Sequence, residues 1–564
     1  MDSLFFAGVV LLLIVLFMGQ EYINSTKFRK QMLQKLYQSY GKESERTYGP
    51  EEMAHICMYY NKHRVEDQLD DITWNDLHLD QIYQRMNTSC SAAGDEYLYY
   101  RLRTPVYDAD EMEDMEKRIC FFMEHELERQ RVQSVFYRLG RTRRHSIYEY
   151  LDNLETLGER NNRKYLFYDF LILACIAGMF SSLPVGLIAL LIVLCHNLIG
   201  YFKEYKEIEP YITSFRYIRR LLGCAEQMSR EEIQVIAVEQ AGLQRCYHKL
   251  KGFLRNSYLV ISAEKGNGNP LEVVLDYLRM LFYLDLIQFN RALAALRGHL
   301  AEVDEMITIL GQIETDVVVG AYRTSLMGEY CVPDLHFDDR RDTFLQVEEL
   351  YHPLLKDPVK NSVKVTRGML LTGSNASGKS TFLRAVATAG VLSQTIHTCP
   401  ASRYEAPVFR IYSSMALKDD LTGGDSYYMV EIKSIKRILD QVMKDDARPV
   451  LCLVDEVLRG TNTVERIAAS TQIMKMLSRR RTLCFAATHD VELTKLLETE
   501  YDNYHFEEKI EEEDIFFPYL LVKGPATSRN AIALLKMLGY DRGIIEEAEA
   551  MAERFLESGR WRLS

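Results

Sequence analysis

Two stretches of this chain are apolar in a way that neither an amphipathic helix nor a half-buried strand produces. Leu4 to Gly19 contains no charged residue, and with its flanks the run approaches the roughly 17-residue lower bound for a membrane-spanning helix. Tyr165 to Ile199 is apolar again, apart from Asp169 near one end, and is interrupted by Ser181-Ser182-Leu183-Pro184. That length accommodates two short spanning helices joined by a tight turn, or one buried helical hairpin. Arg160, Arg163 and Lys164 before the block and Lys203 and Lys206 after it point to the spanning arrangement.

The same basic residues set an orientation. Lys27, Arg29, Lys30 and Lys35 follow the first run, so the N-terminus is expected outside and residues 20–164 inside, with the turn of the hairpin outside and the rest of the chain inside again. A secretory signal is the alternative for the first run, but Asp2 replaces a basic start and Phe17-Met18-Gly19-Gln20-Glu21 offers no small-x-small cleavage site.

Beyond the second apolar block the pattern changes. Residues 207–340 are helix-rich, and after them strands and helices alternate. Val363, Val365, Met369 and Leu371 alternate as a strand does, and Thr381 to Leu392 reads as a helix. The runs Val450 to Val454 and Thr482 to Thr488 are continuously apolar, as strands buried on both faces of a parallel sheet must be.

The candidate chemistry lies at the ends of these strands. Gly373-Ser374-Asn375-Ala376-Ser377-Gly378-Lys379-Ser380 has the form of a phosphate-binding loop, with Thr381 just after it. Its glycines let the backbone curl so that amide hydrogens and a helix N-terminus face a phosphate. Lys379 is expected to reach the β and γ oxygens of a nucleoside triphosphate such as ATP, and Ser380 to ligate magnesium. Asp455 can hold the Mg2+ through water, and Glu456 can orient or deprotonate the attacking water. His489 arrives at the same sheet edge, where it can bond the γ-phosphate or the water, although one histidine serves equally well in packing or at a surface. Asn375 can orient water or a phosphate oxygen, or simply hold the loop's shape.

The segments LTGSNASGKSTFLRAVA (371–387), GGDSYYMVEIKSIKRIL (423–439), LVDEVLRGTNTVERIAAS (453–470) and ATHDVEL (487–493) together closely resemble the MutS mismatch-repair ATPases, within the wider ABC-type ATPase class. The resemblance implies an α/β ABC-type P-loop ATPase domain preceded by an all-α MutS-like core and lever region, to which the apolar runs add the expected N-terminal and central transmembrane helices. It also implies a homodimer, through the ATPase and C-terminal helices, whose two ATP sites are completed across the interface. By that carry-over Ser426 contacts the γ-phosphate bound by the other subunit, and Arg459, Gly460, Thr461 and Asn462 pass information between sites. Taken from one chain, Ser426 is an ordinary helix cap. Asp71 to Leu77 and Thr88 to Pro105 resemble the opening of the helical core, and Tyr519 to Gly524, Asn530 to Gly539 and Ile544 to Leu556 the C-terminal dimerising helices. The family's mismatch-reading module is not recognisable ahead of the core.

The expected organisation is therefore an anchor at 1–20, a cytoplasmic helical region at 21–164, a transmembrane hairpin at 165–200, a core and lever region at 201–340, the ATPase at 341–520 and dimerising helices at 521–564. ATP chemistry places the ATPase in the cytoplasm of a multi-pass cell-membrane protein. Three functions compete: a membrane-anchored ATPase clamping or remodelling a partner, with DNA and membrane lipid as candidates; a mismatch-repair ATPase binding mismatched or branched duplex; and an ATP-driven transporter. The last has few polar residues in its spans to form a pathway, and no transport substrate is evident.

Composition adds bounds. The net charge of -12 argues against broad attraction to DNA, and the 11 cysteines lack the spacing of a zinc site or disulfide scaffold. Arg216, Arg219 and Arg220, and Arg138, Arg141, Arg143 and Arg144, form small basic groups, read first as solvated faces or contacts with anionic lipid and only second as duplex contacts. Glu507 to Asp514 reads as a solvent-facing turn or hairpin.

Overall fold

The computed structural model describes residues 19–558 apart from 21–22, 25, 143–145, 159, 263–276, 339–342, 375–376, 416–426, 445–447, 459–461, 480, 512–513, 527–531, 533–534 and 537–538. The expected anchor at 1–20 lies outside these residues except for its last two. The chain divides into two compact units, one running up to Arg64 with Met86–Tyr100 and Met115–Ser325, the other comprising Val65–Arg85, Arg101–Asp114 and the chain from Leu326 onward.

The first unit is helical. Its apolar block forms α1 (Arg163–Gly178) and the 46-residue α2 (Leu183–Met228), which opens with proline in its first turn behind Ser182. The turn between them is tight: a Cβ on Gly186 would fall 2.6 Å from Met179 Cγ and 2.7 Å from its backbone nitrogen, so only glycine fits.

α2 changes character along its length. In its first part Val185, Leu187, Ile188, Leu191, Ile192 and Ile199 are exposed, as are Phe167, Phe170, Leu173 and Phe180 on α1 and the turn. Farther on, Ile208, Ile212, Phe215, Ile218 and Leu222 recur at helical spacing and are buried. Phe215 stacks on Phe289 at 4.7 Å and meets Phe253 edge-on at 5.2 Å. Burying each such side chain contributes on the order of 1.5–3 kcal/mol.

These exposures run against a buried hairpin, because only 11% of the 18-residue apolar stretch of α2 is buried. They also correct the expected pair of central spans. Among the described residues one helix, α2, is long and apolar enough by length and composition to cross a membrane. The 16 residues of α1 rise about 24 Å, short of a hydrocarbon core of about 30 Å.

The unit also holds α3 (Leu300–Ser325), whose buried Glu314 accepts hydrogen bonds from the Cys90 and Ser91 amides and the Ser91 hydroxyl. Arg141, one of the basic group, is committed to this unit: it pairs with buried Asp95 at 2.7 Å and donates to the Ser89 carbonyl.

The second unit is built on two sheets. β1 (Asp334–His336), β2 (Leu345–Leu350), β3 (Asn361–Val365) and β5 (Arg403–Pro407) form a four-stranded sheet in the order β1-β5-β2-β3. β4 (Gly368–Thr372), β6 (Arg410–Ser414), β7 (Val450–Asp455), β8 (Thr482–Ala487), β9 (Tyr501–Phe506) and β12 (Leu521–Lys523) form the other, in the order β12-β9-β4-β8-β7-β6. Every pairing in the second sheet is parallel except β12 on β9. β10 (Lys509–Glu511) and β11 (Asp514–Phe516) make the small antiparallel hairpin expected near Glu507 to Asp514.

The alternation of Val363, Val365, Met369 and Leu371 does not belong to one strand. The chain breaks between Val365 and Gly368, leaving β3 in the small sheet and β4 at the centre of the large one. All five β4 positions are buried, as in a strand at the centre of a parallel sheet that is packed on both faces. Connections run through α4 (Lys379–Ile396), α5 (Tyr427–Val442) and α6 (Thr463–Leu477), and the described chain ends in α7 (Arg542–Ser558).

The short helix Asp71–Asp76 is fastened to β6. Asp70 caps it by accepting from the Thr73 amide at 2.8 Å. Buried Asp76 accepts from Ser413 Oγ at 2.7 Å and the Met415 amide at 2.9 Å, and Thr73 Oγ1 accepts from the Ser413 amide.

Candidate functional site

β4, β8 and β7 lie side by side, so the segments leaving their carboxyl ends converge. After β4 the chain turns at Gly373 (φ 141°) and Gly378 (φ 106°), both in the region that favours glycine, and Gly378 opens α4 as its N-cap. A Cβ on Gly378 would sit 3.1 Å from the Tyr519 ring. Lys379 is buried and folds back over the loop, donating from Nζ to the carbonyls of Gly373 and Ser374 at 2.7 Å each. Ser374 Oγ donates to Glu508 at 2.5 Å. Ser377 Oγ is buried and finds no hydrogen-bond partner among the described residues.

β7 delivers Asp455, whose carboxyl pKa is raised chiefly by burial and further by Glu456, against a hydrogen bond from Ser380 that lowers it. Glu456 follows with φ 65°, an unusual backbone for a non-glycine residue, held by its amide's 2.9 Å bond to the Ala487 carbonyl of β8. The Thr488 amide bonds the Leu371 carbonyl of β4 at 2.9 Å, and His489 then places Nε2 3.0 Å from Glu456 Oε1. Asp490 is held by Arg466 through two bonds of 2.9 and 2.6 Å.

Ser374, Ser377, Gly378, Lys379, Ser380, Thr381, Asp455, Glu456 and His489 all line one cavity of about 520 Å³, and Gly373 bounds its loop. This volume suits a small-molecule ligand. The expected residues Asn375, Ala376 and Ser426, with Arg459, Gly460 and Thr461, lie outside the described residues. Asn462 is described, and its side chain caps α6 by accepting from the Val464 amide at 3.0 Å.

Part of the cavity lining was not expected from the sequence. Tyr351, His352, Leu355, Pro358 and Val359 supply an aromatic and apolar part of its lining, and the Tyr519 ring adds to it beside Gly378. Burial, with Arg384 nearby, lowers the His352 pKa to about 4, so it meets a ligand as a neutral imidazole. No local periodicity marks these residues, since they come from connections; the Tyr351-His352-Pro353 cluster after a strand was the available signal.

The donor set suits a nucleoside triphosphate with magnesium. An orphaned hydroxyl, a lysine parked on carbonyls and a helix N-terminus face the loop, while Ser380 and Asp455 offer hard oxygen ligands.

Fold and site together define a P-loop ATPase domain. Residues 369–556 match the MutS domain V family, so a MutS-family ATPase domain is present. The chain is 32% identical over 243 residues to the DNA mismatch repair protein MutS of Thermus thermophilus, covering 42% of this chain and 29% of that protein. It is 30% identical over 257 residues to its counterpart from Lactobacillus acidophilus, covering 43% and 29%. With the MutS of Methanothrix thermoacetophila it shares 30% over 373 residues, covering 64% and 38%. The aligned region thus spans well under half the length of these relatives.

Proposed function

We propose that this protein is an ATP hydrolase of the MutS type, in which the nucleotide state governs the grip on a DNA duplex carrying a mismatch or branch. The observation behind the ATPase reading is the convergence of Lys379, Ser380, Asp455, Glu456 and His489 on one cavity. The duplex is proposed because the relatives are DNA mismatch repair proteins.

In this reading Lys379 exchanges its two carbonyl partners for phosphate oxygens, and Ser377 gains the partner it lacks among the described residues. The base rests between Tyr519 and the wall of Leu355 and Val359. Ser380 and Asp455 would hold magnesium, which when bound would supply Lewis-acid polarisation of the phosphoryl oxygens. Glu456 accepts the proton of the attacking water, and His489 orients its carboxylate. Ser426 completes the site across a homodimer interface, with α7 joining the subunits and the helical residues 201–325 acting as the lever.

A specific observation supports a membrane-tethered form of the same enzyme. The apolar surface from Phe167 to Ile199 is broadly exposed on α1, the turn and the start of α2, which suits attachment to a bilayer with α2 as the one candidate span among the described residues.

The test is ATP turnover by the full chain in nanodiscs with matched, mismatched and branched duplexes across a salt series. Saturable stimulation that prefers mismatched or branched DNA and weakens with salt supports the reading. Turnover indifferent to every duplex removes DNA as the partner and leaves the ATPase.

A further inference from the structure

In the small sheet of the ATPase unit, β1 and β5 run parallel with Asp334 opposite Glu405. His336 is two residues beyond Asp334, so its side chain emerges on the same face. The three side chains converge. His336 Nε2 lies 3.2 Å from Glu405 Oε1 and 4.0 Å from Asp334 Oδ1, and the three donor atoms all fall within 4.8 Å of one another.

We propose that Asp334, His336 and Glu405 bind a divalent transition-metal ion at a site separate from the nucleotide cavity. Ligand atoms about 2.0–2.2 Å from one ion stand roughly 3–3.5 Å apart. The His336–Glu405 separation already meets this, and the exposed Asp334 side chain has less than two ångströms to close by rotation. One imidazole with two carboxylates suits zinc or manganese, and solvent on the open side supplies the remaining ligands.

The surroundings support ligation. Arg403 donates to the other oxygen of Glu405 at 2.9 Å, leaving Oε1 turned to the histidine. The His336 ring packs edge-on against Phe344 at 5.3 Å, which fixes its plane. Partners that orient ligands in this way are a regular part of metal sites.

None of the three residues lines the nucleotide cavity. A metal here would pin β1, the first strand after the helical unit, to β5 and so brace the entry to the ATPase fold.

The experiment titrates Zn2+ into the full-length, nucleotide-free protein in magnesium-free detergent buffer by calorimetry. The parent is expected to bind one ion per chain at this site, His336→Ala to lose at least about tenfold in affinity, and Arg403→Gln to lose about 10–100-fold. Asp334→Asn, an isosteric change at an exposed position, is expected to weaken binding with ATP turnover unchanged, which separates lost ligation from lost folding. Asp455→Asn, which removes a carboxylate of the nucleotide cavity, is expected to leave the Asp334- and His336-dependent part of the Zn2+ isotherm as in the parent. Zinc binding of equal affinity in the parent, His336→Ala and Asp334→Asn, or no saturable binding by the parent below millimolar zinc, overturns the proposal.

Discussion

His489 Nε2 lies 3.0 Å from Glu456 Oε1, although the two residues follow different strands, β8 and β7. The parallel register that sets Asp455 opposite Ala487 brings them together, and the Glu456 amide bonds that same Ala487. A base positioned from outside its own strand keeps its orientation as nucleotide enters. His489→Ala should therefore lower kcat for ATP about 10–100-fold with little change in nucleotide affinity, measured by steady-state phosphate release and fluorescent-nucleotide binding. An unchanged kcat would remove His489 from the machinery.

Lys379 has two tasks, since it now closes the loop through the Gly373 and Ser374 carbonyls. Lys379→Ala should weaken ATP binding at least about tenfold, consistent with losing a charge-assisted contact of about 1.5–3 kcal/mol. Equilibrium binding of a fluorescent ATP analogue reads this directly, and parent-like affinity would contradict the loop's assignment.

Asp76 is buried and satisfies both Ser413 Oγ and the Met415 amide at the end of β6. Asp76→Ala strands those donors and should cost about 1–3 kcal/mol of stability. Denaturant unfolding followed by intrinsic fluorescence checks it. A midpoint matching the parent would show that this fastening contributes nothing to the fold.

Burial raises the Glu96 carboxyl from its usual 4.5 to about 8; one oxygen accepts from Ser146 and Ile147, while Oε2 has no partner among the described residues. The folded state holds this proton more tightly than the unfolded chain. Its contribution is fully present below pH 4.5, falls as pH rises, and is lost through about pH 8. Glu96→Gln should flatten that part of the stability profile between pH 5 and 8. Thermal melts across this range giving parallel curves for variant and parent would refute the shift.

Cys195 on α2 is exposed, amid exposed Leu191, Ile192 and Ile199. An environment-sensitive dye on Cys195 should be quenched by lipids brominated in the acyl chain. Absence of quenching would place the hairpin outside the bilayer.

The sequence was most legible where chemistry is contiguous. The loop, the acidic pair after β7 and His489 after β8 are each read from a few adjacent residues, and the parallel sheet joins them. The cavity wall was not, because Tyr351, His352, Leu355 and Tyr519 belong to connections with no period. The break between β3 and β4 was hidden because the apolar alternation, interrupted only at Arg367, resumes in the same phase at Met369. Hydropathy marked the apolar block but could not show that α1 stops after 16 residues while α2 runs on into a packed core. Nor could strand periodicity place Asp334, His336 and Glu405 together, since β1 and β5 are joined only by the tertiary pairing.

The central claim is that Glu456 performs the chemistry in a nucleotide site that Lys379 and Asp455 build. The most direct measurement is ATP binding and phosphate release by Glu456→Gln and the parent, purified alike in nanodiscs with magnesium. The variant should bind ATP with parent-like affinity while releasing phosphate about 10²–10⁴-fold more slowly, as removal of a general base predicts. Turnover close to the parent rate would contradict that claim.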